Sequence, residues 1–415
     1  MLYAVDIAYL VFAFITLYFT ILFFLLFLEN KKSIYKIPKL LRYPSMSIIV
    51  PAHNEEKNIG KTIKNLKKLI YPKNKLEIIV VNDGSTDKTG EIARNFKGVK
   101  VFDKVNQGKK AYAINFGVSK AKNEIIACID ADSFPKPDSI LKAVPFFNDP
   151  IVGAVTTSVF VKEPKNLIQK LQYLEYAMIV WTRKLLEFVD GIYVTPGALS
   201  LYRKDVLQKI GGFDENNLTE DIEIAWRMIH QGYIIKMSTP SKVYTTVPSS
   251  FKKWWAQRIR WNVGGLQTSA KYVDTLFRSR FKSLGMFIVP FFILSYFVSL
   301  LGFGVFVYVL GTAIFNFSSL FFKSFLYKSD PLSLINYSYF ADFLILPNVF
   351  TIFGLGIFIL SLLWIFISLK TTGIKIKGLS GVYKILVYLT LYITAFPIIL
   401  INSIFKFLKS KKYSW

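Results

Sequence analysis

Residues 78–87 read Ile78-Ile79-Val80-Val81-Asn82-Asp83-Gly84-Ser85-Thr86-Asp87. Four β-branched residues in a row predict a buried strand, and the polar, glycine-containing turn behind them predicts entry into a helix from about Asp87. Gly84 permits close backbone approach, and Thr86 or Asp87 can cap that helix. The same unit recurs on both sides. Ser47-Ile48-Ile49-Val50 is another buried strand, followed by Ile59, Ile63, Leu66 and Ile70 at helical spacing, with Asn58 as candidate N-cap. Residues 99–102 and 124–129 add two strands, with a helix through 111–118 between them. Alternation of this kind predicts an α/β fold, a doubly wound parallel sheet with helices on both faces, between about residues 44 and 280.

Ligands of such sheets bind beyond the carboxyl ends of the strands. Residues 51–55 follow the first strand, Asp83 the second, and Asp130 and Asp132 the fourth. Each acid alone can be a helix cap, but their joint placement at one rim favours a functional role. Asp130-Ala131-Asp132 sets two carboxylates two residues apart, hard oxygen ligands suited to Mg²⁺ or Mn²⁺. A cation held there would neutralise a departing diphosphate; a solvated turn beside Ser133 and Pro135 is the alternative. Asp83 suits hydrogen bonds from a base or ribose better than contact with phosphate, since two anions repel. Glu220-Asp221 open an amphipathic segment, 222–229. Acids there either suit the helix dipole or take the proton of an attacking hydroxyl.

Lys252, Lys253, Arg258 and Arg260 interleave with Trp254, Trp255 and Trp261. This is either an interfacial basic–aromatic belt or a site in which Arg260 meets diphosphate and Trp261 a sugar face. His53 and His230 have no partners at zinc-ligand spacing. There is no Walker A loop and no dinucleotide glycine fingerprint. The single cysteine, Cys128, excludes a disulfide framework and reads as packing in the apolar run 125–129.

The 415 residues are 53% hydrophobic with mean hydropathy +0.38, and the excess sits at the two ends. Residues 8–28 carry no charge, enough to cross roughly 30 Å of hydrocarbon, and lack the flanks of a cleaved signal peptide. Residues 286–314, 343–369 and 386–405 are three more span-length runs, with 316–340 read as a loop or interfacial segment. The net charge of +25 is assigned to lysines beside these spans and to anionic lipid rather than to nucleic acid. Lys31, Lys32, Lys36, Lys39 and Arg42 follow the first span, placing the N-terminus outside and the middle domain in the cytoplasm. Lys370, Lys375, Lys377 and Lys384 fit a second inner loop. The tail lysines 406, 409, 411 and 412 point inside, whereas four spans from an outside start end outside.

With these residues in place, the chain resembles the family 2 inverting glycosyltransferases, specifically the membrane-bound processive branch that includes cellulose, chitin, hyaluronan and poly-N-acetylglucosamine synthases. The resemblance covers about residues 47 to 261 and extends to the flanking spans. It implies a nucleotide-sugar-binding domain of GT-A type at 44–280, flanked by a transmembrane anchor at 1–30 and about three spans in 281–415. It also implies that Ala52, Asn54, Glu55 and Asp83 contact uridine, with Lys110, or alternatively Lys109, near the nucleotide. Asp130 and Asp132 would hold donor diphosphate and a divalent metal, Mg²⁺ or Mn²⁺, and Asp221 would be the general base. Gly197, Ala198 and Leu199 would border the acceptor; Gln257, Arg260 and Trp261 would close over diphosphate and acceptor.

The expected partners are a UDP-sugar donor, a glycan or glycolipid acceptor and membrane lipid, in a multi-pass cell-membrane protein with a cytoplasmic catalytic domain. By size the chain is nearest the poly-N-acetylglucosamine synthases, which favours UDP-N-acetylglucosamine, then UDP-glucose. One span rather than two or more precedes the domain, and no cyclic-dinucleotide-binding domain follows it, unlike regulated cellulose synthases. The expected reaction extends a β-linked polysaccharide and passes it across the membrane. The rivals are single addition to a lipid-linked acceptor and a non-catalytic membrane protein that binds nucleotide sugars or anionic lipid.

Overall fold

The computed structural model of the protein describes residues 3–328, 349–375 and 378–409. A first helix, α1 (Ala4–Asn30), leads into the predicted repeat: β1 (Met46–Ala52), α2 (Ile59–Leu66), β2 (Leu76–Asp83), α3 (Thr89–Arg94), β3 (Val99–Lys104), α4 (Lys110–Lys120) and β4 (Ile125–Cys128). The alternation of side chains along a strand, with both faces covered, explains why the centres of β1 and β2, residues 48–50 and 78–81, are apolar throughout. Ile49, Ile79 and Val81 pack with Ala113, Ile114 and Val118 of α4 on one face, while Ile48, Val50, Ile78 and Val80 meet Ile59, Ile63 and Leu66 of α2 on the other. Asn58 stands at the N-cap position of α2 but makes no capping bond; its Nδ2 donates to Glu55 Oε2 at 2.8 Å. Asp87 serves the start of α3, its Oδ1 accepting from the Thr89 N–H at 2.9 Å.

The repeat then breaks. β5 (Ser133–Pro135), α5 (Ser139–Ala143), β6 (Val152–Val161), α6 (Leu167–Glu187), β7 (Ser200–Arg203), α7 (Lys204–Lys209), α8 (Glu220–His230), β8 (Ile234–Thr245) and α9 (Phe251–Lys271) follow. Among the described residues one eight-stranded sheet results, in the order β3-β2-β1-β4-β7-β6-β8-β5. The half containing β3, β2, β1 and β4 is parallel as expected. The other half is mixed, because α6 returns the chain so that β7 enters antiparallel between β4 and β6.

Beyond α9 come α10 (Val289–Tyr327), α11 (Val349–Thr372), α12 (Gly378–Val387) and α13 (Ile393–Lys409), with a π-helical turn at Tyr388–Tyr392 between the last two. The loop expected at 316–340 is helical through residue 327; no Gly or Pro interrupts 312–327, and α10 stops where Lys328 turns left-handed at φ 46°. Residues 329–340 of that expectation, 343–348 of the third span, and lysines 377, 411 and 412 lie outside the described residues. Among the described residues, four helices are long and apolar enough to cross a membrane: Ala4–Asn30, Leu284–Tyr327, Ile352–Thr372 and Gly378–Lys409. α6 ties the sheet to them: Trp181 lies in edge contact with Trp364 of α11, ring centres 4.3 Å apart, and packs with Phe23 of α1.

Candidate active site

Pairing of β1 with both β2 and β4 sets the carboxyl ends of three parallel strands side by side. A cavity of about 900 Å³ opens over them, and its wall includes Ala52, Glu55, Asp83, Lys110, Asp130 and Asp132. Antiparallel pairing of Cys128 with Ser200 brings the segment before β7 to the same rim. The Asp130 N–H donates to the Gly197 carbonyl at 2.9 Å. Gly197 is there because a Cβ would press on Lys110 Nζ and sit 2.9 Å from Asp130 Oδ1. Gly197 and Ala198 line the cavity with the rim acids.

Two of the expected residues stand back from it. Leu199 is fully buried in the core behind the rim. Asn54, at φ 54°, turns its side chain to the neighbouring loop, where Oδ1 accepts from the Thr86 N–H at 2.9 Å. It therefore clamps the loops after β1 and β2 together rather than lining the cavity.

The electrostatics are those of anions crowded around too few cations. Lys110 pairs with Asp130 and lies 3.4 Å from Glu220; burial opposes its charge, yet Asp130 and Glu220 raise its pKa. Burial, then the Asp130 carboxylate, pushes Asp132 up to about 6, against the hydroxyl of Thr246, which donates to Asp132 Oδ2. Burial also raises Asp83, although Lys104 stands 3.8 Å away. Asp83 Oδ1 has no hydrogen-bond partner. A buried acceptor left unused inside a cavity is suited to an incoming donor group. Asp221, at the first turn of α8, is pushed up to about 7 by burial and then by Glu220, with Lys110 and Arg260 pulling the other way.

α9 closes the cavity. Gly264 allows it to lie directly on the start of α8: a Cβ there would fall 2.7 Å from Thr219 Cβ. The contact is held by Asn217 Nδ2 donating to Thr268 Oγ1 at 2.9 Å and the Leu218 N–H donating to Gln267 Oε1 at 3.0 Å. Gln257, Arg260 and Trp261 consequently line the same cavity as Asp221. The basic–aromatic cluster thus divides by face. Arg258 and Trp254 are buried, with Arg258 pairing Glu175 and covering the Trp261 ring at 4.1 Å. Tyr392 joins them, donating to Glu175 Oε2 and accepting from Trp254 Nε1, both at 2.6 Å. Lys252 and Lys253 are exposed.

The sequence reading passed over the wall supplied by α6. Tyr176, Ile179, Val180 and Arg183 face the cavity, and their i, i+3, i+4, i+7 spacing is the signal that was available. It passed over Thr246 as well, for which the sequence carries no signal.

Residues 47–211 match the family model described as glycosyl transferase family 2. The chain is 32% identical over 269 residues to the probable glycosyltransferase YdaM of Bacillus subtilis (strain 168), covering 62% of this chain and 64% of that protein. It is 32% identical over 252 residues to a poly-β-1,6-N-acetyl-D-glucosamine synthase of Staphylococcus epidermidis, covering 59% and 60%. The matched stretch thus spans less than two thirds of either relative. In fold it is similar to the mannosyltransferase PcManGT from Pyrobaculum calidifontis, solved with GDP-Man and Mn²⁺, at a TM-score of 0.62 and 19% identity, over 98% of this chain and 100% of the other. Residues 47–211 are thus similar to glycosyl transferase family 2, within a fold shared with a solved mannosyltransferase.

Proposed function

We propose that the chain is an inverting glycosyltransferase that moves a sugar from a UDP-sugar onto the end of a β-linked polysaccharide and passes the product through its membrane helices. The observation that carries this reading is the cavity itself: donor-side carboxylates at the strand ends and Asp221 on α8 meet in one space under α9. In the proposed reaction Asp221 accepts the proton of the acceptor hydroxyl as its oxygen attacks the anomeric carbon, and the nucleoside diphosphate leaves from the opposite face. The raised pKa of Asp221 suits a base that must take a proton near neutral pH. Asp83, Ala52 and Glu55 are assigned to the nucleoside, and Asn54 to holding their loops. Lys110 and Arg260 are assigned to the diphosphate, Gly197 and Ala198 to the acceptor border, and Trp261 to the acceptor sugar. Leu199 supports that border from the core, and Gln257, whose Oε1 accepts from Arg258 Nη1 at 2.6 Å, closes the cavity beside them.

The donor set suits a hard divalent cation. The Asp130 carboxylate raises the proton affinity of Asp132 through like charge, and no group of three or more His, Cys, Asp or Glu among the described residues forms a protein-only cage. Two carboxylates completed by diphosphate oxygens is the usual Mg²⁺ arrangement. Bound there, Mg²⁺ or Mn²⁺ would neutralise charge on the leaving diphosphate.

The name of the Staphylococcus epidermidis relative favours N-acetylglucosamine as the transferred sugar; glucose stands second by the resemblance to polysaccharide synthases. The catalytic domain is assigned to residues 44–280 on the cytoplasmic side, with 1–30 and 281–415 as the membrane parts. The test is incubation of the purified full chain with a panel of UDP-sugars and Mg²⁺ or Mn²⁺, reading UDP release and product length. A ladder of products is expected. One added sugar would replace polymerisation by single addition to a lipid-linked acceptor, and no UDP release with any donor would overturn the transferase reading.

A further inference from the structure

Arg183 is 6% exposed and lines the cavity, yet its Nε and Nη1 have no hydrogen-bond partner, and it makes no ion pair among the described residues. The other cations buried as deeply are handled differently: Lys184 holds Glu187 at 2.8 Å and Arg258 holds Glu175. A guanidinium removed from water without a partner is costly, and folded proteins rarely retain one without use.

Its surroundings say which use. Burial lowers its pKa, and the groups opposing that are Tyr193, Asp221 and Tyr176. Arg183 thus stands with the candidate base on the cavity wall, while Lys110 pairs with Asp130 at the strand ends. Tyr193 meets Phe292 of α10 with ring centres 4.7 Å apart, and Phe292 and Tyr296 share the cavity wall with Trp261. A hydrogen-bond donor set among flat aromatic faces, where the catalytic domain meets the first C-terminal membrane helix, fits the alternating hydroxyls and CH faces of a sugar ring. The Asp221 carboxylate beside Arg183 argues against an anionic group at this end of the cavity.

Resting on the transferase reading above, we propose that Arg183 is an acceptor-binding residue, donating hydrogen bonds to hydroxyl or acetamido oxygens of the acceptor's terminal sugar beside Asp221. It determines specificity for a neutral, oxygen-rich glycan end.

The test uses the purified full chain in detergent and the variants Arg183→Met and Arg183→Lys. Thermal shifts are measured with UDP, with a short N-acetylglucosamine oligomer and, in a parallel arm, with a glucose oligomer. In wild type, UDP and one of the oligomers each raise the melting midpoint. In Arg183→Met the midpoint without ligand is unchanged or higher, because no hydrogen bond or ion pair is lost and a buried charge is removed, and the UDP shift persists while the oligomer shift disappears. The acceptor KM rises about 10- to 100-fold, the scale of lost charged hydrogen bonds, while the donor KM holds; Arg183→Lys recovers part of the difference. An unchanged oligomer shift and acceptor KM in Arg183→Met overturn the assignment, as does a lowered midpoint with UDP binding lost, which would mark Arg183 as structural. If wild type turns over no UDP-sugar and neither oligomer stabilises it, the transferase reading and this one fall together; if wild type is active, only the Arg183 assignment is at stake.

Discussion

Asp221 shows how burial prepares a residue for proton transfer. Its carboxyl shares the start of α8 with Glu220, and the two opposing cations, Lys110 and Arg260, do not fully offset burial. Asp221→Asn is expected to lower turnover by about 10²-fold or more with donor affinity nearly unchanged; donor affinity lost at preserved turnover would instead make Asp221 a binding residue. As a base it must be ionised, so wild-type kcat should rise with pH through about 7. The linkage to stability runs the other way. A carboxyl whose folded pKa is raised contributes stability below its ordinary 3.8, and that stability is lost as pH rises through about 7. Asp221→Asn should therefore melt above wild type at pH 8, with the gap narrowing on acidification. Asp132 poses a different question. Asp132→Asn is expected to abolish transfer and to remove the Mg²⁺ or Mn²⁺ dependence of UDP binding, with the fold intact. Titration calorimetry with UDP, with and without metal, reads this directly, and full activity in excess chelator would remove the metal from the mechanism.

At the scale of elements, α9 decides whether the site is assembled. Its register is set by the glycine on Thr219, and a Cβ there cannot be accommodated without displacing one helix from the other. Gly264→Ala is expected to cost about 1–3 kcal/mol of stability, the usual range for overpacking, and to lower transfer at the same time, since Arg260 and Trp261 ride on the displaced helix. Denaturation and turnover of one preparation check both; wild-type values would show that the contact is slack. Trp261 is braced on one face by the Arg258 guanidinium, which leaves the rest of the ring for the cavity. An aromatic face grips a terminal sugar without fixing the chain behind it, so the chain can slip forward after each transfer. Trp261→Ala should eliminate polymer while UDP-sugar binding persists. Normal-length polymer from this variant would reduce Trp261 to a membrane-interface anchor.

At the scale of the molecule, the conflict between span number and tail charge meets the packing of the last helix. Tyr392 bonds Glu175 and Trp254 of the catalytic domain, and α13 packs along α9, with Ile399 and Leu400 buried and Phe396 in edge contact with Trp254. We infer that a helix bound along that domain lies on its side of the membrane, although it is long and apolar enough to cross. The expectation is three crossings and an inside tail, in keeping with Lys406 and Lys409. Cys128 is the only cysteine and is buried, so introduced thiols can be read against a low background. Lys68→Cys and Lys409→Cys should both resist an impermeant maleimide in intact cells and react after permeabilisation. Labelling of Lys409→Cys in intact cells would restore the fourth crossing.

The parallel half of the sheet and the acids at its rim were legible in the sequence, because they follow from local rules. A run such as Ile78–Val81 is buried wherever it lies, and successive parallel strands must expose their carboxyl ends at one edge. Asp83, Asp130 and Asp132 therefore met in space as they were read. The remainder rests on pairs that no local rule connects. Tyr392 reaches Glu175 across 217 positions and Arg258 reaches it across 83; Gly264 matters only because Thr219 lies against it; Asn54 faces Thr86 instead of the cavity because two loops pack. Arg183 looks like any basic residue of an amphipathic helix until the fold buries it on the cavity wall with Nε and Nη1 unpartnered. Burial and pairing are properties of the assembled chain, and they decided which of its charges were left for a ligand.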